Sequence, residues 1–166
     1  MDTRKNNHMK RFLIVLMAAV ISIGQANAQK AKLYDESIDP IAQINTAVSK
    51  AKASNKNVIC QVGGNWCIWC LRFADFITKD SEIKSVIDKN YVYIHVNYPR
   101  KDASQKLTDK IANAGRFGYP ALVVMNDKGE VIHIQDSSFL EAGDGYDKDK
   151  VLRFLNGWTP KAVAGR

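Results

Sequence analysis

Gly63-Gly64-Asn65-Trp66-Cys67-Ile68-Trp69-Cys70 is the stretch on which the reading of this chain turns. Before it, Val58-Ile59-Cys60-Gln61-Val62 is a short, largely apolar run that reads as a buried strand stopped by the two glycines. After it, Leu71, Phe73, Ala74 and Ile77 offer an inward face to a helix expected from about Cys67 to Thr78. Cys67 then stands at a helix N-terminus, where unpaired N–H groups and the macrodipole favour a thiolate over a thiol. Cys70 follows one turn later on the same side and can close a disulfide with it. Cys67 is expected to be exposed and Cys70 more shielded.

Spacing alone leaves three readings of the pair open. Half of a zinc site looks the same, but four-coordinate structural zinc needs two more ligands. Outside the pair and the N-terminal segment the chain offers only Cys60, His95 and His133, with no second close pair, so no metal is expected. A structural disulfide without turnover is the second reading. Stapled small folds commonly pair all their cysteines, whereas this chain has three, two of them three residues apart. Cys60, in mid-strand, reads as an inert buried hydrophobe. The third reading is thiol–disulfide exchange, in which a thiolate is the attacking species. The context of strand before and helix after favours it.

Working outward, Ile41, Ile44, Ala47, Val48 and Ala51 recur at helical spacing from Pro40 to about Lys52, with Asp39 as cap. Leu33-Tyr34 is expected to form a short first strand. Ser81 to Asp88 continues as a short helix around Ile83, Val86 and Ile87. Tyr91-Val92-Tyr93-Ile94-His95-Val96 is the strongest strand, rich in β-branched and aromatic residues. Helical period returns through Leu107, Ile111 and Ala114. Ala121–Met125 and Glu130–Gln135 are two strands joined by Asn126-Asp127-Lys128-Gly129, a polar turn. A last helix spans about Lys148 to Trp158, and Phe139 to Tyr146 is a loop of unassigned purpose. Strands alternating with helices predict an α/β fold, a three-layer sandwich with a central mixed sheet and helices on both faces.

Two motifs give this arrangement a family likeness. Val58 to Val62 followed by Trp66-Cys67-Ile68-Trp69-Cys70 resembles the thioredoxin strand and its Trp-Cys-x-x-Cys motif. Gly118-Tyr119-Pro120 before Ala121-Leu122-Val123-Val124 resembles the family's Gly-x-Pro, about 50 residues beyond the pair. The likeness covers roughly residues 55–158, and the doubled Trp is similar to a Trp-Cys-x-Trp-Cys branch. It implies an oxidoreductase with Cys67 and Cys70 as catalytic residues and no organic cofactor or metal. Pro120 would be cis and face the pair, and Trp66, Tyr119 and Pro120 would bind substrate. The implied partners are a disulfide-bearing protein or small molecule and a redox partner outside the cytoplasm.

The departures are informative. Ile68-Trp69 carries no histidine to stabilise the thiolate, so a reductant or a moderate poise is expected. The family's buried acid falls on Gln61, which cannot take a proton. Its basic partner falls on His95, leaving His95 and Gln61 as candidates for proton handling beneath Cys70. Two non-enzymatic readings stand beside this one: a binding module using the Tyr119-Pro120 groove, and a metallochaperone using the two sulfurs.

The N-terminal segment bears on compartment. Lys10 and Arg11 precede Phe12 to Ile23, apolar except for Ser22, and Ala26-Asn27-Ala28 follows. The apolar run is short of the about 20 residues that span a bilayer, so residues 1–28 read as a signal peptide. The expected mature part, residues 29–166, is one exported domain, periplasmic or extracellular, without stable membrane insertion. The leader holds four of the 24 Lys and Arg and one of the 17 Asp and Glu, leaving 20 bases against 16 acids. These are interleaved along the chain rather than gathered on a stripe, which argues against a nucleic-acid partner.

Overall fold

A computed structural model describes residues 32–99 and 101–165. The expected signal peptide, residues 1–28, lies outside them.

Asp39 caps the first helix, α1 (Pro40–Ser54), by accepting from the Ile41 N–H at 2.8 Å, with Pro40 in the first turn. Strand β1 (Asn57–Gly63) is buried along its whole length. Helix α2 (Ile68–Lys79) and helix α3 (Ser81–Asn90) follow, divided at Asp80, whose carboxylate accepts from Glu82 and Ile83 N–H. Then come β2 (Tyr91–Asn97), the short α4 (Gln105–Lys110), β3 (Ala121–Met125), β4 (Val131–Asp136) and α5 (Lys148–Gly157), with a last short helix α6 (Pro160–Ala164).

The four strands form one sheet in the order β2-β1-β3-β4, β1 parallel to β2 and antiparallel to β3, and β3 antiparallel to β4. Alternation along the strands sorts side chains to two cores. Val58, Cys60 and Val62 meet α1 and α4 on one face, while Ile59 meets α2, α3 and α5 on the other. The fold is the three-layer α/β sandwich that the alternation of elements predicts.

Several local expectations are corrected. Leu33-Tyr34 is a bend rather than a strand, because the Asn65 side chain takes both backbone groups of Tyr34. The helix expected through Ala114 stops at Lys110: Ala112 and Asn113 adopt positive φ, and a 3-10 turn covers Ala114–Phe117. Glu130 belongs to the turn, since Asn126 Oδ1 accepts from Lys128 and Glu130 N–H, and Gly129 supplies φ 79°. Phe139 to Tyr146, expected as a loop, instead takes part in a 3-10 turn (Ser137–Leu140) and a small hairpin of β5 (Glu141–Ala142) and β6 (Gly145–Tyr146).

Candidate active site

The cysteine pair sits where β1 hands over to α2. Cys67 has extended backbone angles and is the N-cap of α2, its sulfur accepting from the Cys70 N–H at 3.1 Å. Such a cap is where a sulfur anion gains most from the helix N-terminus. Cys67 and Cys70 are disulfide-bonded, with Cα atoms 5.2 Å apart. Cys70 is fully buried, as expected, but Cys67 is only 7 % exposed, which corrects the open position anticipated for it. The cause is local: Leu33, Trp69 and Tyr119 pack against the cluster of Tyr34 and the two cysteines. Exposure falls instead on the flanking Trp66 and Ile68, at 43 % and 58 %.

The second motif comes to the same end of the sheet. Ala121 pairs with Val62, one residue before Gly63, so Tyr119-Pro120 enters β3 beside the β1–α2 junction. The Tyr119–Pro120 peptide is cis, and Trp66 meets the Tyr119 ring edge-on at 5.2 Å. Of the three residues expected to bind substrate, Tyr119 packs against the cysteine cluster and Trp66 meets its ring, while Pro120 leads into β3 at the same end of the sheet.

Beneath Cys70 lies a buried amide. Gln61 Nε2 donates to the Tyr34 hydroxyl at 2.6 Å and to the Cys70 carbonyl at 2.9 Å, while Gln61 Oε1 accepts from the Tyr93 hydroxyl at 2.7 Å. His95, paired with Gln61 in the β1–β2 register, stands between the rings of Tyr34 and Tyr93, at 5.4 and 5.5 Å. Of the two groups considered for proton handling, Gln61 touches Cys70, whereas His95 meets the tyrosines. Burial drives the His95 pKa down to about 4, so the ring is neutral at pH 7.

This has a consequence for stability. The folded pKa of His95 lies below the unfolded value near 6.5, so protonation favours the unfolded chain as pH falls from about 6.5 to 4. Stability should fall by up to about 3 kcal/mol over that window through this group alone, and not at all above it. Urea denaturation at neutral and acid pH should show a shallower decline in His95→Phe than in the parent. Equal declines would mean that His95 titrates normally in the fold.

Gly63 is required by close approach. A methyl group there would strike Cys70 Sγ and lie 3.0 Å from the Tyr34 hydroxyl. Gly63→Ala should destabilise the protein by about 1–3 kcal/mol through overpacking. Thermal melts check this, and an unchanged midpoint would show that the pair can shift aside at no expense.

The Tyr146 hairpin braces the motif from outside. Tyr146 donates to the Trp69 carbonyl at 3.2 Å, and its ring lies edge-on to Trp69 and Phe73. The Arg72 guanidinium sits 4.9 Å over the Trp69 ring. Cys60 is wholly buried against the opposite helical layer, its thiol pushed up to about 12, so it has no part in this chemistry. His133 is half-buried and stacked on Trp158, 4.2 Å between ring centres, rather than free on the surface. Among the described residues no three His, Cys, Asp or Glu side chains converge as a metal site. Sequence reasoning overlooked Tyr34, Asn65 and Tyr93. The signal available was the polar Gln61 inside an apolar strand, which demands buried partners.

Comparison with known proteins agrees with this geometry. A family model described as thioredoxin-like matches residues 39–127. The disulfide bond reductase DsbH of Chlamydia pneumoniae is 27% identical over 90 residues, 51% of this chain and 54% of that protein. The chain thus spans about half the length of the curated relative it matches. A disulphide isomerase from Xylella fastidiosa Temecula1 has a similar fold, with TM-score 0.65 at 22% identity over 74% of this chain and 93% of that one.

Proposed function

This chain belongs to the thioredoxin-like family, and we propose that it is a thiol–disulfide oxidoreductase whose reacting atoms are the sulfurs of Cys67 and Cys70. The observation that carries the reading is the disulfide at the N-cap of α2, with the Cys70 N–H already aimed at the Cys67 sulfur. In the reduced protein that N–H and the helix dipole stabilise a Cys67 thiolate. The thiolate attacks a substrate disulfide, forming a mixed disulfide and releasing one substrate thiolate, which takes up a proton. Cys70 then attacks the Cys67 sulfur, the second substrate sulfur leaves, and the pair closes again. An external dithiol must reopen it.

Direction and substrate belong to the same proposal. Ile68 and Trp69 place no charged group between the cysteines, which supports a reducing role, and the name of the Chlamydia relative is consistent with it. The exposed Trp66 and Ile68 beside a recessed Cys67 favour disulfides carried on apolar segments of proteins. Residues 1–28 support action outside the cytoplasm, with an electron donor located there.

Insulin reduction with dithiothreitol as electron source tests the activity. The protein should accelerate precipitation of the insulin B chain and have a midpoint more reducing than glutathione. No acceleration would refute the enzymatic reading. A midpoint near the roughly −120 mV of strong oxidants would reverse the proposed direction.

A further inference from the structure

The resolving thiol, Cys70, is buried, and a buried thiol resists ionisation because charge is poorly solvated there. Something must stabilise its thiolate if the second step is to run. Gln61, the amide beneath it, does not titrate and spends its N–H hydrogens on the Tyr34 hydroxyl and the Cys70 carbonyl. Another polar atom on this side of the sulfur is the hydroxyl of Tyr34. Both converge over Gly63, where a single added methyl would strike Cys70 Sγ and lie 3.0 Å from the Tyr34 oxygen. Tyr34 is wholly buried and packs in one cluster with the two cysteines.

Tyr34 is held there deliberately well. The Asn65 side chain accepts from the Tyr34 N–H at 3.1 Å and donates to the Tyr34 carbonyl at 2.7 Å, clamping the residue to the loop that ends in Cys67. Its hydroxyl accepts from Gln61 Nε2 at 2.6 Å, and among the described residues that is the hydrogen bond it makes. With the oxygen occupied as acceptor, the hydroxyl hydrogen is left to donate. Burial raises the phenol pKa, so it keeps that hydrogen throughout the working pH range.

We propose that, in the reduced protein, the Tyr34 hydroxyl donates a hydrogen bond to the Cys70 sulfur and so stabilises its thiolate. Tyr34 gives up no proton. In the resolving step the Cys70 proton ends on the departing substrate thiolate. The Cys70–Cys67 sulfur bond forms as the Cys67–substrate bond breaks, its electron pair leaving with the substrate sulfur. Tyr93 acts through Gln61, and His95 lies against the Tyr34 ring. Tyr119 packs on the pair, and Tyr146 and Arg72 stand beyond Trp69. The kinetic consequence rests on the thiol–disulfide reading above, but the hydrogen bond does not.

The test is a titration that needs no turnover. In reduced full-length Cys67→Ser protein, the Cys70 13Cβ resonance is followed by NMR against pH, with and without Tyr34→Phe. Cys60, ionising only at about 12, stays out of the window. A hydrogen bond to a charged group predicts that Tyr34→Phe raises the Cys70 midpoint by about one unit or more. An unchanged midpoint in a folded Tyr34→Phe protein overturns the proposal. If Tyr34→Phe does not fold, Asn65→Ala, which opens the clamp and spares the hydroxyl, should raise the midpoint in the same direction, and an unchanged midpoint there overturns it equally. In the protein with both cysteines, the thiolate fraction would fall about tenfold while its nucleophilicity rises, so resolution should slow about threefold at neutral pH. A shifted titration with no insulin reduction would sink the enzymatic reading alone. Normal insulin reduction with an unshifted titration would sink the hydrogen bond alone.

Discussion

The Cys70→Ser protein is expected to stall with substrate attached. Cys67 keeps its place at the mouth of α2, so its thiolate still attacks a disulfide. No sulfur then stands within reach to release the product. Cys60 cannot substitute, because it is buried against the opposite helical layer and its thiol is pushed up to about 12. Turnover in the insulin assay should fall on the order of a thousandfold or more, as when one member of a concerted catalytic unit is removed. A mixed disulfide to Cys67 should accumulate, visible as an adduct by mass spectrometry under non-reducing conditions. Cys67→Ser should lose turnover as completely but form no adduct. The asymmetry between the two variants assigns attack and resolution; parental turnover in Cys70→Ser would end the two-cysteine mechanism.

Where the sequence was legible, local chemistry and tertiary context agreed. The run Val58–Val62, two glycines and an apolar helical face specify a strand–turn–helix on their own, and the observed boundaries of β1 and α2 follow closely. Pro40 behind Asp39 likewise marks a helix start that needs no tertiary help. Legibility failed where backbone partners came from far along the chain. Nothing near Leu33-Tyr34 says that an asparagine 31 residues later takes its N–H and carbonyl in place of a neighbouring strand. The hairpin at Glu141–Tyr146 is too short to carry a period, and its order derives from Tyr146 packing on Trp69, Phe73 and Phe76. Cys67 shows the same limit within the site. Its identity and position at the helix end were readable, but its burial depends on Leu33, Trp69 and Tyr119, which meet only in the folded chain.

The largest stability effect outside the cysteines should come from Gln61. Gln61→Leu removes at once the acceptor of the Tyr93 hydroxyl and the donor to the Tyr34 hydroxyl. Tyr34 is wholly buried and Tyr93 partly so, and burial raises both phenol pKa values, so both stay neutral and each loses a partner that water replaces poorly. Each orphaned group costs about 1–3 kcal/mol, and Gln61→Leu should destabilise the protein by about 2–4 kcal/mol in urea denaturation at pH 7. Gln61→Glu separates hydrogen bonding from charge. A buried glutamic acid has its pKa raised by desolvation, so below the unfolded value near 4.3 the variant keeps a neutral donor and acceptor and should approach the parent. Above that pH the unfolded chain ionises first, and the variant should lose about 1.4 kcal/mol of stability per pH unit until the buried acid itself ionises. This slope is opposite in sign to that of His95, which weakens the fold as pH falls. Glutamine at this position thus satisfies two phenols and a cysteine carbonyl without a titration of its own. A Gln61→Leu protein as stable as the parent would show that the amide network beneath the pair contributes nothing to holding it.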